Sequence, residues 1–166
     1  RGAVIINADS AQVYSDLPIW SAQPTQAEME QAPHRLFAYL DGTTACSAAK
    51  WAEDARTEIA QAHETGRLPI LVGGTGLYIR TLLDGIAPMA EIAPEIRQQV
   101  RDLPTEEAAA QLRQADPAMA DKLNPADSSR IKRALEVIRS TGRSILEWRA
   151  EKEGGIGNQV DLTAIL

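Results

Sequence analysis

Two short apolar runs constrain this chain more than any other feature. Ala3 to Ala8 and Leu68 to Val72 are unbroken and rich in branched side chains. The first closes on Asn7-Ala8-Asp9-Ser10 and the second on Gly73-Gly74-Thr75-Gly76. Apolar runs of this length, without polar alternation, predict strands buried on both faces, as in parallel sheets covered by helices. Between them, Ser47 to Thr65 carries helical punctuation. Ser47 suits the N-cap, Ala48, Ala52, Ala55 and Ile59 recur on one face, and Gly66 suits the residue after the C-cap. A further helix is predicted from Leu77 to Asp84, stopped by Gly85. Strand, helix, strand and helix in this order predict an α/β domain with a parallel sheet.

The remaining segments are less regular. Residues 16–33 are rich in Pro and Gln and read as irregular, while His34 to Leu40 reads as a short strand ended by Asp41-Gly42. From Ile86 the composition changes. Pro88, Pro94, Pro104, Pro117 and Pro125 punctuate short helices near 95–102, 105–115 and 117–123, followed by helices at 128–141 and from Ser144 to about Lys152. The predicted organisation is an α/β core over 1–87, a helical insertion over 88–126, and a return to the core over 127–166. Gly154-Gly155-Ile156-Gly157-Asn158 reads as a flexible connector, and Val160 to Leu166 as a final strand. Strand-like runs at both ends lead us to expect a piece of a longer chain.

Composition narrows the function classes. The 166 residues are 44% hydrophobic and 24% charged, an ordinary globular balance that disfavours disorder and coiled coil. No apolar stretch is long enough to span a membrane. A single cysteine, Cys46, rules out an internal disulfide and points to a reducing, cytoplasmic compartment. With 17 Lys and Arg against 23 Asp and Glu, the net charge is −6, which argues against a generic nucleic-acid coat. The charge is segregated, however. Residues 127–152 hold seven basic side chains against four acidic ones, including Arg130-Ile131-Lys132-Arg133. Ile131, Ala134, Leu135 and Ile138 would form the core-facing stripe of that helix. Arg130, Arg133 and Lys132 would then face outward, either as a solvated face or as phosphate contacts.

In parallel sheets, ligands bind outside the carboxyl ends of the strands. The Asp9-Ser10 and Gly73-Gly74-Thr75-Gly76 loops both leave such ends. Together they would bring a carboxylate and a hydroxyl to one crevice, with glycines that allow close approach and a helix start near Leu77. A carboxylate there can accept a proton or hold a Mg²⁺-bound water. A tight strand-to-helix turn and an ordinary helix cap explain the same residues equally well. His34 reads as structural, Cys46 as a small apolar residue, and Trp20, Trp51 and Trp148 as packing residues.

Taken in order, these segments resemble one family. Asn7-Ala8-Asp9-Ser10-Ala11-Gln12-Val13-Tyr14 with Ser21-Ala22-Gln23-Pro24 resembles the "ADS-x-Q-VY … TA-x-P" segment of tRNA dimethylallyltransferases. Pro33-His34-Arg35-Leu36 resembles its "PHHL", Leu71 to Tyr78 its "VGGTGLY", Pro94-Glu95-Ile96-Arg97 its "PE-x-R", and Arg130 to Val137 its "R-x-x-RALEV". The resemblance implies a P-loop-NTPase-like parallel core, incomplete here, in a cytoplasmic enzyme. Such an enzyme transfers a dimethylallyl group from dimethylallyl diphosphate to the exocyclic amine of the adenosine 3′-adjacent to the tRNA anticodon. Asp9 would then be the general base and Thr75 would bond near the reacting centre. Ser10, Ala11 and Gln12 would hold the extruded base, since a stacked base must be flipped out to react. Arg97 and Ser129, Arg130, Ile131, Lys132 and Arg133 would contact the anticodon stem-loop. Mg²⁺ and a nucleotide-type (ATP-binding) phosphate loop are also implied.

The chain departs from the family pattern in two ways. No Gly-rich phosphate loop of the G-x-T-x-[SG]-G-K-[ST] kind occurs within residues 1–166, so the chain by itself is expected to be inactive. Asn124-Pro125-Ala126-Asp127-Ser128-Ser129 replaces the usual "HPND-x-QR". Two alternatives stay open: an adenylate-type isopentenyltransferase acting on free nucleotide, and a non-catalytic RNA-binding fragment. The full-length enzyme is expected to be a monomer, and this chain, with a sheet edge unpaired, to be prone to self-association.

Overall fold

The computed structural model describes residues 2–88 and 91–165, which divide into two compact units: residues 2–85 with 154–165, and 86–153. The first unit holds strands β1 (Ala3–Asn7), β2 (His34–Arg35) and β3 (Leu68–Val72), with helices α1 (Gln26–Met29), α2 (Ala48–Glu64) and α3 (Gly76–Asp84). The strands form the expected parallel sheet, in the order β2-β1-β3, with Ile5 of β1 opposite His34 on one side and Ile70 on the other.

Helix α2 starts where Ser47 Oγ accepts the Lys50 amide at 3.1 Å and stops before Gly66, whose φ of 67° places it in the left-handed region. Its buried stripe of Trp51, Ala52, Ala55, Ile59 and Ala62 joins Val4, Ile6, Val13 and Leu82 in the core of this unit.

Three expectations for this unit are corrected. Strand β3 is not buried on both faces: Leu68, Ile70 and Val72 are exposed on one face, while Pro69 and Leu71 alternate with them and Leu71 packs against the core. No strand forms over 160–165, where no neighbouring strand supplies a hydrogen-bonding ladder; Leu166 lies outside the described residues. The Gly154–Gly157 segment is a close-packed strap rather than a loose connector. The Ile156 and Gly157 amides donate to the Leu82 and Leu83 carbonyls at 3.0 and 2.9 Å. A Cβ on Gly155 would fall 2.5 Å from the Leu83 oxygen, so glycine is required there.

The second unit is helical, with α4 (Pro94–Asp102), α5 (Thr105–Ala115), α6 (Pro117–Ala120), α7 (Ser128–Thr141) and α8 (Ile145–Ala150). Its ends are tied by Ile86 and Glu153, which exchange backbone hydrogen bonds at 3.0 and 3.1 Å. The expected return to the α/β core at residue 127 therefore does not occur. Helices α7 and α8 stay in this unit because Ile131, Ala134, Leu135, Val137 and Ile145 pack with Val100, Ala108, Leu112 and Met119 into a separate core.

Candidate active site

The two loops singled out in the sequence meet at the carboxyl ends of β1 and β3. Register carries them together: Asn7 pairs with Val72, the Ala8 amide donates to the Val72 carbonyl at 2.8 Å, and the Thr75 amide donates to the Ala8 carbonyl at 3.2 Å. The contact demands glycine at position 73. A Cβ there would stand 2.3 Å from the Ala8 carbonyl carbon and 2.6 Å from the Asp9 nitrogen.

Asn7 organises the first loop. It is fully buried, and its Oδ1 accepts the Asp9 amide at 2.8 Å while its Nδ2 donates to the Asp9 and Leu36 carbonyls, both at 3.0 Å. The Asn7 carbonyl in turn accepts the Trp51 indole N–H at 2.8 Å. Asp9 itself is half-buried. Its Oδ1 accepts the Ala11 amide at 2.8 Å, and its Oδ2 has no hydrogen-bond partner among the described residues. A Cβ on Gly74 would lie 3.9 Å from that open oxygen, so glycine there leaves the space beside it free.

Thr75 sits at the N-cap of α3 but does not cap it. Its Oγ1 instead accepts the Ser10 amide at 2.9 Å and bonds the Ser10 hydroxyl at 3.2 Å. Asp9, Ser10, Ala11 and Thr75 thus form one connected group, with Ser10 and Ala11 exposed. Gln12 has a different task. Its Nε2 donates to the Ser21 and Ala22 carbonyls at 2.8 and 3.1 Å, which ties down the turn that carries Trp20. Trp20 is 92% exposed and so is no packing residue, whereas Trp51 is fully buried.

A cluster of aromatic residues around Cys46 is not evident from the sequence. Trp51 stacks on Tyr78 at 4.6 Å between ring centroids. The Tyr78 and Tyr39 hydroxyls lie 3.4 and 3.8 Å from Cys46 Sγ, Tyr39 also donates to Asp54 at 2.9 Å, and the Tyr14 hydroxyl accepts the Cys46 amide at 3.2 Å. Burial first, and these neighbours second, push the Tyr39 and Tyr78 phenols well above their ordinary value, so both remain protonated donors. The thiol is thus a hydrogen-bonded member of the packing under α3. The signal available in the sequence was the set of three tyrosines spaced around one cysteine.

The other expected site residues lie in the second unit. Arg97 is exposed on α4, and Ser129 and Arg130 are exposed at the start of α7. Arg130 pairs with Asp127 at 3.0 Å, Arg133 with Glu136 at 3.3 Å, and Lys132 donates to the Arg101 carbonyl at 2.7 Å. Ile131 is a correction. At 2% exposure its side chain is committed to the core and offers no surface to RNA.

Among the described residues no three His, Cys, Asp or Glu side chains converge, and no helix is long and apolar enough to cross a membrane. The donors at the strand ends are one carboxylate and two hydroxyls, short of a protein-built Mg²⁺ site.

Known proteins resemble this chain in sequence and fold. The tRNA dimethylallyltransferase of Novosphingobium aromaticivorans is 60% identical over 166 residues, covering 100% of this chain and 59% of its own length. That of Zymomonas mobilis subsp. mobilis is 55% identical over 163 residues, covering 98% of this chain and 52% of its own. The chain thus spans somewhat over half the length of these relatives. Among solved structures, a eukaryotic dimethylallyltransferase acting on tRNA matches with a TM-score of 0.76 at 28% identity, over 93% of this chain and 39% of that one. The full-length tRNA isopentenylpyrophosphate transferase of Bacillus halodurans matches with a TM-score of 0.51 at 33% identity, over 86% of this chain and 48% of its own. Residues 12–165 match the IPP transferase family, and a match over nearly the whole chain means that the chain belongs to that family.

Proposed function

We propose that the protein from which this chain comes is a cytoplasmic tRNA dimethylallyltransferase and that Asp9 is its general base. The amine nitrogen of an extruded adenine attacks the allylic carbon of dimethylallyl diphosphate. The carbon–oxygen bond to the diphosphate breaks, diphosphate leaves, and the surplus proton on nitrogen passes to Asp9. The observation that supports this most is the state of the carboxylate: one oxygen is fixed by the Ala11 amide and the other is open beside the Gly-Gly turn. A fixed base with one available oxygen is oriented before substrate arrives. Thr75 and Ser10, bonded to each other, supply hydroxyls next to it. Arg97 and the exposed cations of α7 serve as phosphate contacts for the anticodon stem-loop. Mg²⁺ would assist departure of the diphosphate by neutralising its charge.

The test is prenylation of anticodon stem-loop RNA by the full-length protein. Asp9→Asn keeps the shape and removes the base, and is expected to lower kcat by about 10²- to 10⁴-fold. Full activity in that variant, or preferential prenylation of free AMP by the unsubstituted protein, overturns the reading. Residues 1–166 hold no Gly-rich phosphate loop, so this chain alone is expected to show no turnover.

A further inference from the structure

The second unit carries a groove of about 460 Å³ whose charged lining residues are all cationic. Lys122, from the turn after α6, and Arg149, from α8, line it together with Arg130 and Arg133 of α7 and with apolar side chains that include Met119 and Ile145. No Asp or Glu lines it. This is a local asymmetry, because residues 86–153 as a whole hold eleven Lys and Arg against twelve Asp and Glu. The pairing within the groove is also uneven. Arg130 and Arg133 have carboxylate partners in Asp127 and Glu136, and both partners lie outside the groove lining. Lys122 and Arg149 are exposed and have no such partner among the described residues.

Lys122 and Arg149 add two unpaired cations to a cavity that no carboxylate lines, and such a local excess of one sign attracts a polyanion. We propose that this groove seats the sugar-phosphate backbone of the RNA substrate, with Lys122 and Arg149 among the cations of its wall, a role that nothing in the sequence motifs assigns to either residue. The inference rests on the tRNA-modifying reading above and extends it. The apolar lining lets a backbone strand lie close to the cations with little water between, which strengthens each contact. Because phosphates carry no sequence information, this wall sets affinity and register and leaves choice of base to the Asp9 loop. Lys122 and Arg149 are positioning residues that do not touch the reacting atoms.

The experiment compares full-length protein with the Lys122→Ala/Arg149→Ala double variant and the charge-preserving Lys122→Arg/Arg149→Lys pair. Binding to an anticodon stem-loop is measured as a function of salt. Each lost phosphate contact makes the plot of log affinity against log salt shallower by about 0.7 to 0.9, so the double variant should lose roughly 1.5 in slope and about tenfold in affinity near 0.15 M salt. KM for RNA should rise by a similar factor with kcat unchanged, and the charge-preserving pair should restore both slope and KM. An unchanged slope in the double variant, with the unsubstituted protein binding RNA normally, overturns the groove and leaves the prenyltransferase reading standing. Absence of RNA binding by the unsubstituted protein removes the reading itself, and the groove with it.

Discussion

Asn7 controls the geometry of the candidate base although it faces away from any substrate. Its amide group is an acceptor on one side and a double donor on the other, and all three bonds go to backbone atoms of the Asp9 loop or of Leu36. Asn7→Asp preserves the acceptor for the Asp9 amide but sets a carboxylate oxygen against two buried carbonyl oxygens. We expect it to cost about 3 kcal/mol in denaturant unfolding, more than the roughly 2 kcal/mol for Asn7→Ala, since an unpaired buried charge is worse than a missing donor. Equal costs for the two variants would contradict this account. That the Asp9-Ser10 and Gly73-to-Gly76 loops leave the carboxyl ends of strands was legible in the sequence, because apolar runs ending in small residues mark such loops in parallel sheets, whereas the roles proposed for Asp9, Ser10 and Thr75 come from the family resemblance. The role of Asn7 was not legible, since a polar residue closing a strand reads equally well as the first residue of a turn. Nor does sequence show that the Thr75 hydroxyl bonds Ser10, a residue 65 positions away, instead of capping its own helix.

At the scale of elements, local chemistry fixes boundaries wherever a cap is present. Helix α2 shows this at both ends, with Ser47 at its start and Gly66 after its last turn. Nothing lies within 4 Å of a Cβ placed on Gly66, so substitution there tests backbone conformation alone. Gly66→Ala should destabilise the first unit by about 1 kcal/mol, and Gly66→Asn by less, because Asn tolerates the left-handed region better. Thermal or denaturant unfolding of the two variants checks the order. The same logic was available for α1, where Thr25 and Glu28 complete a capping box, but a single four-residue turn in a Pro- and Gln-rich stretch is easily passed over. Strands are less legible because they depend on partners distant in sequence. The run at 160–165 has strand-like composition and no ladder to join, and β3 has an apolar outer face that composition alone reads as buried. The division at residue 86 was visible as a change in composition. The one at 153 was not, because it depends on Glu153 meeting Ile86 and on the stripe of α7 choosing α5 as its neighbour.

For the molecule as a whole, the distribution of titratable groups separates the two units. All three tyrosines, Tyr14, Tyr39 and Tyr78, belong to the first unit and converge on Cys46, whereas the second unit has none. Tyr39 and Tyr78 have pKa values raised above the ordinary 10.0, with burial as the first cause of each. The unfolded chain therefore releases these protons at a lower pH than the folded one does. A raised folded value means that the stabilisation is fully present below about pH 10 and is lost progressively as pH rises beyond it. The first unit should then unfold in mild alkali, with phenolate absorbance appearing together with loss of the near-ultraviolet dichroism of Trp51, which is stacked on Tyr78. Tyr78→Phe removes one of the two groups and should move the onset to higher pH, and Trp148, in the second unit, should report no change of environment at the phenolate transition. Phenolate forming at Tyr39 and Tyr78 near pH 10 in a Tyr14→Phe background, while the Trp51 signal stays intact, would show that these hydroxyls ionise within the fold and that their surroundings are open to solvent.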